Sequence, residues 1–428
     1  MLALRASILH CLADPGEQSA ASAYEFFEDG LLVVDGGHVI EAGDAARLMS
    51  ELPADTPVHD YSGHLIVPGF IDCHVHFPQL DIIGSYGAQL LDWLNQYAFP
   101  AEARFADPEH AREVAGVFID ELLANGTTTA LVFGTVHAHS ADAIFEAAEA
   151  KGMRLIAGKV LMDSNCPEEL RDDPETGYAE SKTLIERWHG KGRLGYAITP
   201  RFALTSSPEQ LAAAGRLAAE YPDVWIHTHL AENMEEVEEI ARLFPDNRSY
   251  LDVYEQHGLI RDRAVFAHCL HMDDQDRTSM ATRGGAAAFC PTSNLFLGSG
   301  LFDLNAMRKA GVRCGLGTDV GGGTSLSLLR TASEAYKVLH LQEHALPATR
   351  ALYLATLGAA EALYLDDKIG NFAKGKEADF VVLDYEGSNL TARRTAAAKT
   401  IEEKLFALMT LADDRNIAAT YVNGIAIQ

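Results

Sequence analysis

Residues 69–77 read "GFIDCHVHF", an apolar run that ends with two histidines, His74 and His76, separated by one residue. The side chains of a β-strand alternate between its two faces with a period of two. Both imidazoles should therefore point to the same side of the strand, as two ligands of one metal ion must. Any remaining ligands have to come from other strands of the chain.

Short β-like runs alternate with helical stretches between about residues 67 and 370. Helix signals lie between the runs, with Asp107 before Pro108 and Ser207 before Pro208. Repeated strand–helix units favour a parallel sheet with outer helices, and eight units predict a closed (β/α)8 barrel. A doubly wound open sheet is the alternative, although no GxGxxG motif opens the first unit. The strand candidates are 69–76, 128–135, 154–162, 194–202, 223–230, 264–269, 285–290 and 312–318.

Both ends of the chain have a different pattern. Residues 26–43 read as strand, turn and strand, and residues 378–384 and 419–427 also read as strands. We predict that residues 1–66 and 373–428 together form one small composite β-sandwich domain beside a barrel of residues 67–372. Two separate edge extensions are the alternative.

The composition limits the partners and the compartment. The chain has 428 residues, of which 48% are hydrophobic, and a formal net charge of −27. Such a surface repels nucleic acid and anionic membranes. No apolar run reaches the roughly 18 residues of a membrane span, and the first ten residues lack the apolar core of a signal peptide. Six cysteines without CxxC pairs favour reduced thiols, so we expect a cytoplasmic protein.

Polar side chains follow the ends of three further strand candidates. The fifth reads "WIHTHLAE", with His227, His229 and then Glu232; the sixth ends at His268, and the eighth leads to Asp319. The carboxyl ends of parallel barrel strands share one face, where active sites are built. We therefore expect five side chains to converge there: His74, His76, His229, His268 and Asp319.

Imidazole nitrogens and a carboxylate oxygen suit zinc, with iron, manganese or nickel as weaker possibilities. Cys73 and Cys269 adjoin two of the candidate ligands, but strand alternation turns them to the other face, where they serve as small apolar groups. A single histidine in a strand is usually structural. Histidines and an aspartate at four strand ends indicate a metal site instead.

Four stretches, "PGFIDCHVHF", "HTHLAE", "AHC" and "GTD", occur in this order and resemble the amidohydrolase superfamily of metal-dependent hydrolases. The resemblance covers essentially the whole chain and implies a distorted TIM barrel. Binuclear members carry a carboxylated lysine at the end of the fourth strand, where this chain has Arg201 in "ITPRF". The chain is thus similar to the mononuclear deaminase branch, and we interpret Lys159 on the third strand as structural.

Within that branch, "LLDWLNQYAFPAEARF" (90–105), "TPRFALTSS" (199–207), "HTHLAENMEEVE" (227–238) and "GTDVGGGTSLSLL" (317–329) resemble the guanine deaminase family. The resemblance implies a homodimer that hydrolyses guanine to xanthine and ammonia with one zinc ion per chain. It implies that His74, His76, His229 and Asp319 hold the metal, and that Glu232 shuttles protons. A glutamate that simply begins a helix is the structural alternative for Glu232.

Two more residues belong to the expected chemistry. Asp319 is also a candidate to take a proton from the attacking water. His268 would orient that water or would itself bind the metal, and the sequence leaves both roles open.

Recognition of the base needs groups that match its edges. Arg201 offers a rigid fork of donors for acceptors such as O6 and N7, and Gln79 can both donate and accept. Phe202 and Trp93 are candidates to stack on the ring, with His229 beside the substrate. A place in the apolar core is the alternative for both aromatic residues.

Three other functions stay open at this point. The first is deamination of another ring, such as a thiolated adenosine derivative, a pterin or a triazine. The second is hydrolysis of a cyclic amide or carbamate on the same barrel, which would release no ammonia from guanine. The third is a scaffold that binds a partner, which the complete ligand set and Glu232 disfavour.

Overall fold

The computed structural model of the protein describes residues 1–87 and 89–427, which form strands, α-helices and short 3-10 turns. The strands are β1 (Leu2–Cys11), β2 (Tyr24–Asp35), β3 (His38–Asp44), β4 (Val58–Pro68), β5 (Phe70–His76), β6 (Thr127–Phe133), β7 (Arg154–Gly158), β8 (Val160–Leu161), β9 (Leu194–Pro200), β10 (Trp225–Leu230), β11 (Ala264–His268), β12 (Ala286–Phe289), β13 (Arg313–Leu316), β14 (Phe380–Asp384), β15 (Ile417–Val422) and β16 (Ile425–Ile427).

The α-helices are α1 (Ala45–Glu51), α2 (Leu90–Trp93), α3 (Phe99–Ala103), α4 (Pro108–Ala124), α5 (Ala138–Lys151), α6 (Pro174–Trp188), α7 (Pro208–Glu220), α8 (Met234–Leu243), α9 (Tyr250–Gln256), α10 (Asp274–Arg283), α11 (Pro291–Phe296), α12 (Leu304–Ala310), α13 (Leu328–Leu341), α14 (Ala348–Ala355), α15 (Leu357–Ala362), α16 (Asn389–Ala396) and α17 (Ile401–Leu411). Leu94–Ala98 forms a π-helical turn. The 3-10 turns are Ala21–Ala23, Phe77–Ile82, Arg104–Ala106, Glu168–Leu170, Ala203–Thr205 and Asp414–Asn416.

Strands β5 to β13 form one sheet in the order β5-β6-β7-β9-β10-β11-β12-β13, with β8 paired to β9 beside this path. Every residue of β5, β6, β9 and β10 is buried. Strands that are buried on both faces are typical of a parallel sheet covered by helices. The eight predicted strands are therefore confirmed, although the third is interrupted after Gly158.

The sheet closes between its two ends. The amide of Asp319, just after β13, donates to the carbonyl of His74 in β5 at 2.9 Å, and the amide of His76 donates to Val320 at 2.8 Å. Gly317 permits this approach, because a Cβ there would lie 3.0 Å from the Cβ of His74. The predicted (β/α)8 barrel is confirmed, and the alternative of an open doubly wound sheet is excluded.

The outer helices begin where their capping residues predict. The Asp107 carboxylate accepts the amide of Glu109 at 2.9 Å, and Pro108 is the first residue of α4. Ser207 caps α7 in the same way, by accepting the amide of Gln210 at 3.1 Å. A side-chain acceptor satisfies an amide that has no partner within the helix, and proline needs none at the first position.

Strands from both ends of the chain form a second, mixed sheet in the order β16-β15-β14-β4-β1-β2-β3. The two ends meet where β14 pairs antiparallel with β4, so that Leu383 lies opposite Leu65. Phe380 and Tyr421, paired across β14 and β15, stack with ring centroids 4.3 Å apart. The composite β domain is thus confirmed as a seven-stranded sheet. The strand pattern did not predict the helices near the C-terminal strands. Two of them, α16 and α17, lie between β14 and β15.

The chain divides into two compact units. One comprises Met1–Asp72, Glu121–Thr129 and Ser327–Gln428, and the other, the barrel unit, comprises Cys73–Asp120 and Ala130–Leu326. The expected domain boundaries at residues 66/67 and 372/373 stay a prediction. Among the described residues, no helix combines the length and the apolar character that crossing a membrane requires.

Lys159 lies in the interruption between β7 and β8, and its side chain is completely buried. Its ammonium group contacts the Asp172 carboxylate and the Val136 carbonyl, each at 2.5 Å, and lies 3.2 Å from Glu180. Burial raises the pKa of Asp172, and Lys159 opposes that rise. These contacts support the structural role predicted for Lys159.

We expect Lys159→Met to destabilise the protein strongly, because removing one partner of a buried ion pair costs about 3–5 kcal/mol. Denaturant unfolding followed by circular dichroism measures the loss. Lys182→Met is the matched control, because Lys182 pairs with Glu220 at the surface, where ion pairs contribute little. Equal unfolding midpoints for the two variants would contradict the structural role of Lys159.

Candidate functional site

The predicted ligands lie at the carboxyl ends of four barrel strands. His74 and His76 end β5, His229 lies near the end of β10, and His268 is the last residue of β11. Asp319 follows β13 by three residues. All five side chains are at least nine-tenths buried. The structure therefore brings together all five residues that the sequence predicted to converge.

Four of these side chains form one compact group, which we call the ligand cluster: His74, His76, His229 and Asp319. Each offers one ligand atom, and the four atoms lie within 4.8 Å of one another. The Nε2 atom of His76 is 3.2 Å from the Nε2 atoms of both His74 and His229. Oδ1 of Asp319 is 3.1 Å from Nε2 of His74 and 3.4 Å from Nε2 of His76.

The imidazoles of the ligand cluster are held neutral. Burial lowers the pKa of His74, lowers that of His76 to about 3, and lowers that of His229 well below its ordinary value. Nδ1 of His229 lies 2.7 Å from the Arg201 carbonyl, which can only accept, so the proton of this ring is on Nδ1. Nε2 of His229 therefore directs a lone pair into the cluster.

The cluster fits a metal ion by its own chemistry. Nε2 of His76 can carry only one proton, so it can donate to at most one of the two imidazole nitrogens that lie 3.2 Å from it. A neutral imidazole is the form that binds a metal, and a cation at the centre satisfies all four atoms. Three histidine nitrogens and one carboxylate oxygen are ligand types that transition-metal sites use.

His74 has an additional partner behind the cluster. Its Nδ1 lies 2.7 Å from Nε2 of His227, which is fully buried and packs against Phe133 at 4.4 Å between ring centroids. A hydrogen bond at the far nitrogen of a ligand histidine fixes the orientation of its ring. The sequence signal for this role is the spacing in "HTH" (227–229), which turns His227 and His229 to the same face of β10.

Glu232 and His268 border the ligand cluster on one side. Nε2 of His268 is 3.3 Å from Oε2 of Glu232 and 3.7 Å from Oδ2 of Asp319. Nδ1 of His268 faces the amide oxygen of Asn294 at 2.8 Å, so it carries the ring proton and Nε2 is left as an acceptor. The Ser299 hydroxyl lies 3.3 Å from Oε1 of Glu232.

The pKa values of the two carboxyl groups of the site are shifted in opposite directions. Burial, together with the neighbouring charge of Asp319, raises the pKa of Glu232 well above its ordinary value. Burial alone would raise the pKa of Asp319 too, but the surrounding histidines, His74 first, hold it well below the ordinary range. When the pKa values of two neighbouring groups are shifted in opposite directions, one group can act as proton carrier and the other as anionic ligand.

The backbone is strained at the strand ends that carry the site. His268 has a φ of 72°, Asp319 of 51°, and Ala231, just before Glu232, of 49°. Residues other than glycine rarely occupy this left-handed region, and such strain concentrates at functional sites. Glu236 supports the turn at Glu232, because its carboxylate accepts the Glu232 amide at 3.0 Å and the Tyr250 hydroxyl at 2.6 Å.

The two predicted base-recognition donors, Arg201 and Gln79, share one partner. Arg201 follows β9 directly, and its NH1 atom donates to both oxygens of Glu102, at 2.8 and 2.7 Å. Nε2 of Gln79 donates to Oε1 of Glu102 at 2.8 Å, and its amide oxygen accepts the amide of Gly321 at 3.1 Å. All three side chains are buried. The structure therefore joins residues that the sequence predicted separately, through a glutamate that it did not single out.

The predicted stacking residues belong to one apolar cluster. Trp93 and Phe202 are buried together with Phe99 and Phe133 in it. Phe133 lies 4.7 Å from the His76 ring and 4.6 Å from the His229 ring, measured between centroids. Phe202 lies 6.2 Å from His229. The indole nitrogen of Trp93 donates to the Ser85 carbonyl at 3.2 Å, so this side chain has a structural contact of its own.

Comparison with known proteins places the chain among enzymes. Over 95% of its length it is 54% identical to the guanine deaminase of Escherichia coli strain K12, of which it covers 93%. The solved structure of E. coli guanine deaminase matches with a TM-score of 0.98 at 52% identity, covering 100% of this chain and 99% of the other.

A second solved structure, guanine deaminase from C. acetobutylicum with guanine bound in the active site, matches with a TM-score of 0.90 at 27% identity and covers all of both chains. The model of the amidohydrolase family matches residues 65–426, a span that includes the whole ligand cluster. The chain therefore belongs to the amidohydrolase family.

Proposed function

We propose that the protein is a guanine deaminase, which converts guanine and water to xanthine and ammonia. The observation that carries the proposal is the contact of the Arg201–Glu102–Gln79 group with the ligand cluster, in which Nε2 of Gln79 lies 3.3 Å from Nδ1 of His76. The buried carboxylate of Glu232 borders the same cluster. The relatives that match over nearly the whole chain bear the same name. The assay is the formation of xanthine and ammonia from guanine by the purified protein.

We further propose that His74, His76, His229 and Asp319 hold one zinc ion per chain. Histidine nitrogens and a carboxylate suit zinc better than calcium or magnesium, which prefer oxygen ligands alone. A bound zinc ion lowers the pKa of a coordinated water from 15.7 toward about 7, which supplies a nucleophile at neutral pH. His268 is proposed to orient the attacking water, because its Nε2 is an acceptor that no hydrogen bond from a described residue satisfies.

Glu232 is proposed to carry the proton from the water to the ring nitrogen and then to the leaving ammonia. Its carboxylate lies beside His268 and does not belong to the ligand cluster. A carboxylate beside a Lewis acid can accept a proton as a general base and return it as a general acid. Asp319, held as an anion, is proposed to bind the metal and to accept a proton from the water.

Recognition of guanine is proposed to depend on Arg201 and Gln79. Glu102 occupies one nitrogen of the guanidinium, and Nε and NH2 have no partner among the described residues. These two donors form an edge that matches the O6 and N7 acceptors of a purine. Phe202 and Trp93 are proposed to contact the ring from the apolar cluster, with His229 beside it.

The remaining properties are proposed from the family and the composition. We propose a cytoplasmic homodimer that acts on a small molecule, with neither nucleic acid nor membrane as a partner. The formal charge of −27 supports the last point, because phosphate groups would be repelled. Light scattering during size-exclusion chromatography tests the dimer.

The purified protein is expected to contain about one zinc ion per chain, because four ligands converge and no lysine bridges a second ion. Metal analysis measures the content. His229→Gln should lose most of the zinc, whereas His257→Gln should keep it, because His257 lies outside the ligand cluster and its Nδ1 bonds to the Val253 carbonyl. Two zinc ions bound in the barrel would contradict the mononuclear site.

Glu232→Gln is expected to keep the zinc and to lose most of the deaminase activity, because the change preserves the shape and removes the proton carrier. General acid–base groups contribute roughly 100- to 10,000-fold to the rate. The measurement is kcat for guanine beside the zinc content. Glu238→Gln, an exposed change on the adjoining helix α8, is the control. Wild-type turnover by a fully loaded Glu232→Gln enzyme would leave Glu232 as a helix-start residue only.

Arg201→Ala is expected to lower kcat/KM for guanine at least about tenfold, since a buried acceptor left unpaired costs about 1–3 kcal/mol and 1.36 kcal/mol is tenfold. Arg201→Lys should restore little, because a point charge cannot replace the fork. The zinc content should not change in either variant.

Arg216→Ala is the matched control for Arg201→Ala. Arg216 also lies over an aromatic ring, Tyr178, and pairs with a carboxylate, Glu175, but it is exposed. Unchanged guanine turnover in Arg201→Ala would refute the recognition role.

A further inference from the structure

We propose that Glu102 is a positioning residue for base recognition, which sets the two donors Arg201 and Gln79 in one fixed arrangement. This inference rests on the proposed function and assigns the specificity of the site to a residue that contacts neither the metal ligands nor the reacting atoms. Glu102 lies in α3, a short helix of the segment between β5 and α4. Gln79 belongs to the same segment, whereas Arg201 follows β9.

The Glu102 carboxylate bonds to the side chains of Arg201 and Gln79. It is 1% exposed, and among the described residues it accepts hydrogen bonds only from Arg201 and Gln79. Oε1 serves both partners, and Oε2 serves Arg201 alone. Because one oxygen bonds to both donors, a displacement of the carboxylate would move Arg201 and Gln79 together.

Each donor is also held from a second side, so Glu102 completes its placement. The amide oxygen of Gln79 accepts the Gly321 amide at 3.1 Å, which prevents the side-chain amide from exchanging its two ends, and its nitrogen also lies 3.3 Å from Nδ1 of His76. The Arg201 guanidinium lies over the Phe99 ring, 5.2 Å from its centroid. Phe99 and Glu102 both belong to α3, so this single turn of helix supports the flat face and one nitrogen of the guanidinium.

The arrangement also balances charge. Arg201 is a buried cation close to a site that is proposed to hold a divalent metal, and a neutral base would not offset its charge. Glu102 supplies the opposite charge without taking part in the ligand cluster. An unpaired buried charge is strongly unfavourable. Glu102 thus allows an arginine to present neutral-base donors here, where it would otherwise favour an anionic ligand.

Structural and positioning roles predict different kinetics. If Glu102 acts through Arg201, its removal should weaken guanine binding and should matter little once Arg201 is already changed. If Glu102 only packs the core, its removal should lower stability alone, or should combine multiplicatively with the Arg201 change. Asp172→Asn is a matched control, because it removes one carboxylate charge from another buried ion pair, that with Lys159.

The experiment measures kcat and KM for guanine, zinc content and unfolding midpoint for wild type, Glu102→Gln, Glu102→Asp, Arg201→Gln, the Glu102→Gln/Arg201→Gln double variant and Asp172→Asn. Glu102→Gln should raise KM at least about tenfold at an unchanged zinc content, as expected when a binding contact is lost. The double variant should have a kcat/KM within about threefold of Arg201→Gln alone. Asp172→Asn should lose stability and keep a wild-type KM.

Three results would overturn the role of Glu102: an unchanged KM in Glu102→Gln, losses that multiply in the double variant, or an equal rise of KM in Asp172→Asn. If Glu102→Gln does not fold, Glu102→Asp tests the role instead, because it keeps the negative charge and shortens the side chain. Glu102→Asp should raise KM for guanine, and a wild-type KM in this variant would refute the role. Failure of the wild-type protein to release ammonia from guanine would refute the proposed function, and the role of Glu102 with it.

Discussion

The backbone contact between the end of β13 and β5 is the constraint on which the site depends. The Asp319 amide donates to the His74 carbonyl at 2.9 Å, and this bond closes the barrel at the two residues that also contribute ligand atoms. Closure therefore places a carboxylate 3.1 Å from an imidazole although 245 residues separate them. Without closure, His74 and Asp319 would lie on opposite edges of an open sheet, and no shared site would exist.

Burial then determines the chemistry of the side chains that closure brings together. It favours neutral imidazoles in the ligand cluster and a protonated carboxyl at Glu232, while the histidines around Asp319 keep that group ionised. The same three types of side chain at the surface would be ordinary charged or solvated groups. Their low-dielectric surroundings shift their pKa values in the directions that the proposed roles of metal ligand and proton carrier require.

The segment between β5 and α4 contacts the ligand cluster through Gln79, whose Nε2 lies 3.3 Å from Nδ1 of His76. It contributes Gln79 and Glu102 to the Arg201–Glu102–Gln79 group, and Trp93 and Phe99 to the apolar cluster. Its short helical turns carry no long amphipathic pattern, so their stability comes from tertiary packing rather than from intrinsic helix propensity. The buried Glu102 carboxylate in this segment accepts hydrogen bonds from Arg201, which follows β9. This contact connects the segment to the barrel strands.

The sequence by itself predicted the barrel and all four members of the ligand cluster. Eight apolar runs with capped helices between them define strand–helix units, and the period of two turns His74 and His76 to one face. The common face of parallel strand ends then predicts that His229, His268 and Asp319 join them. These inferences succeed because alternation and helix capping are local properties that can be read along the chain.

Only the tertiary structure decided which side chains pair across the barrel. Nothing local in "FPAEARF" (99–105) distinguishes Glu102 from a solvent-exposed helical glutamate, because its partners, Gln79 and Arg201, lie 23 and 99 residues away. The interruption of the third strand at Lys159 and the tautomers fixed at His229 and His268 are likewise invisible in the pattern. Burial and hydrogen bonding between distant segments set these features, and those arise only when the sheet closes.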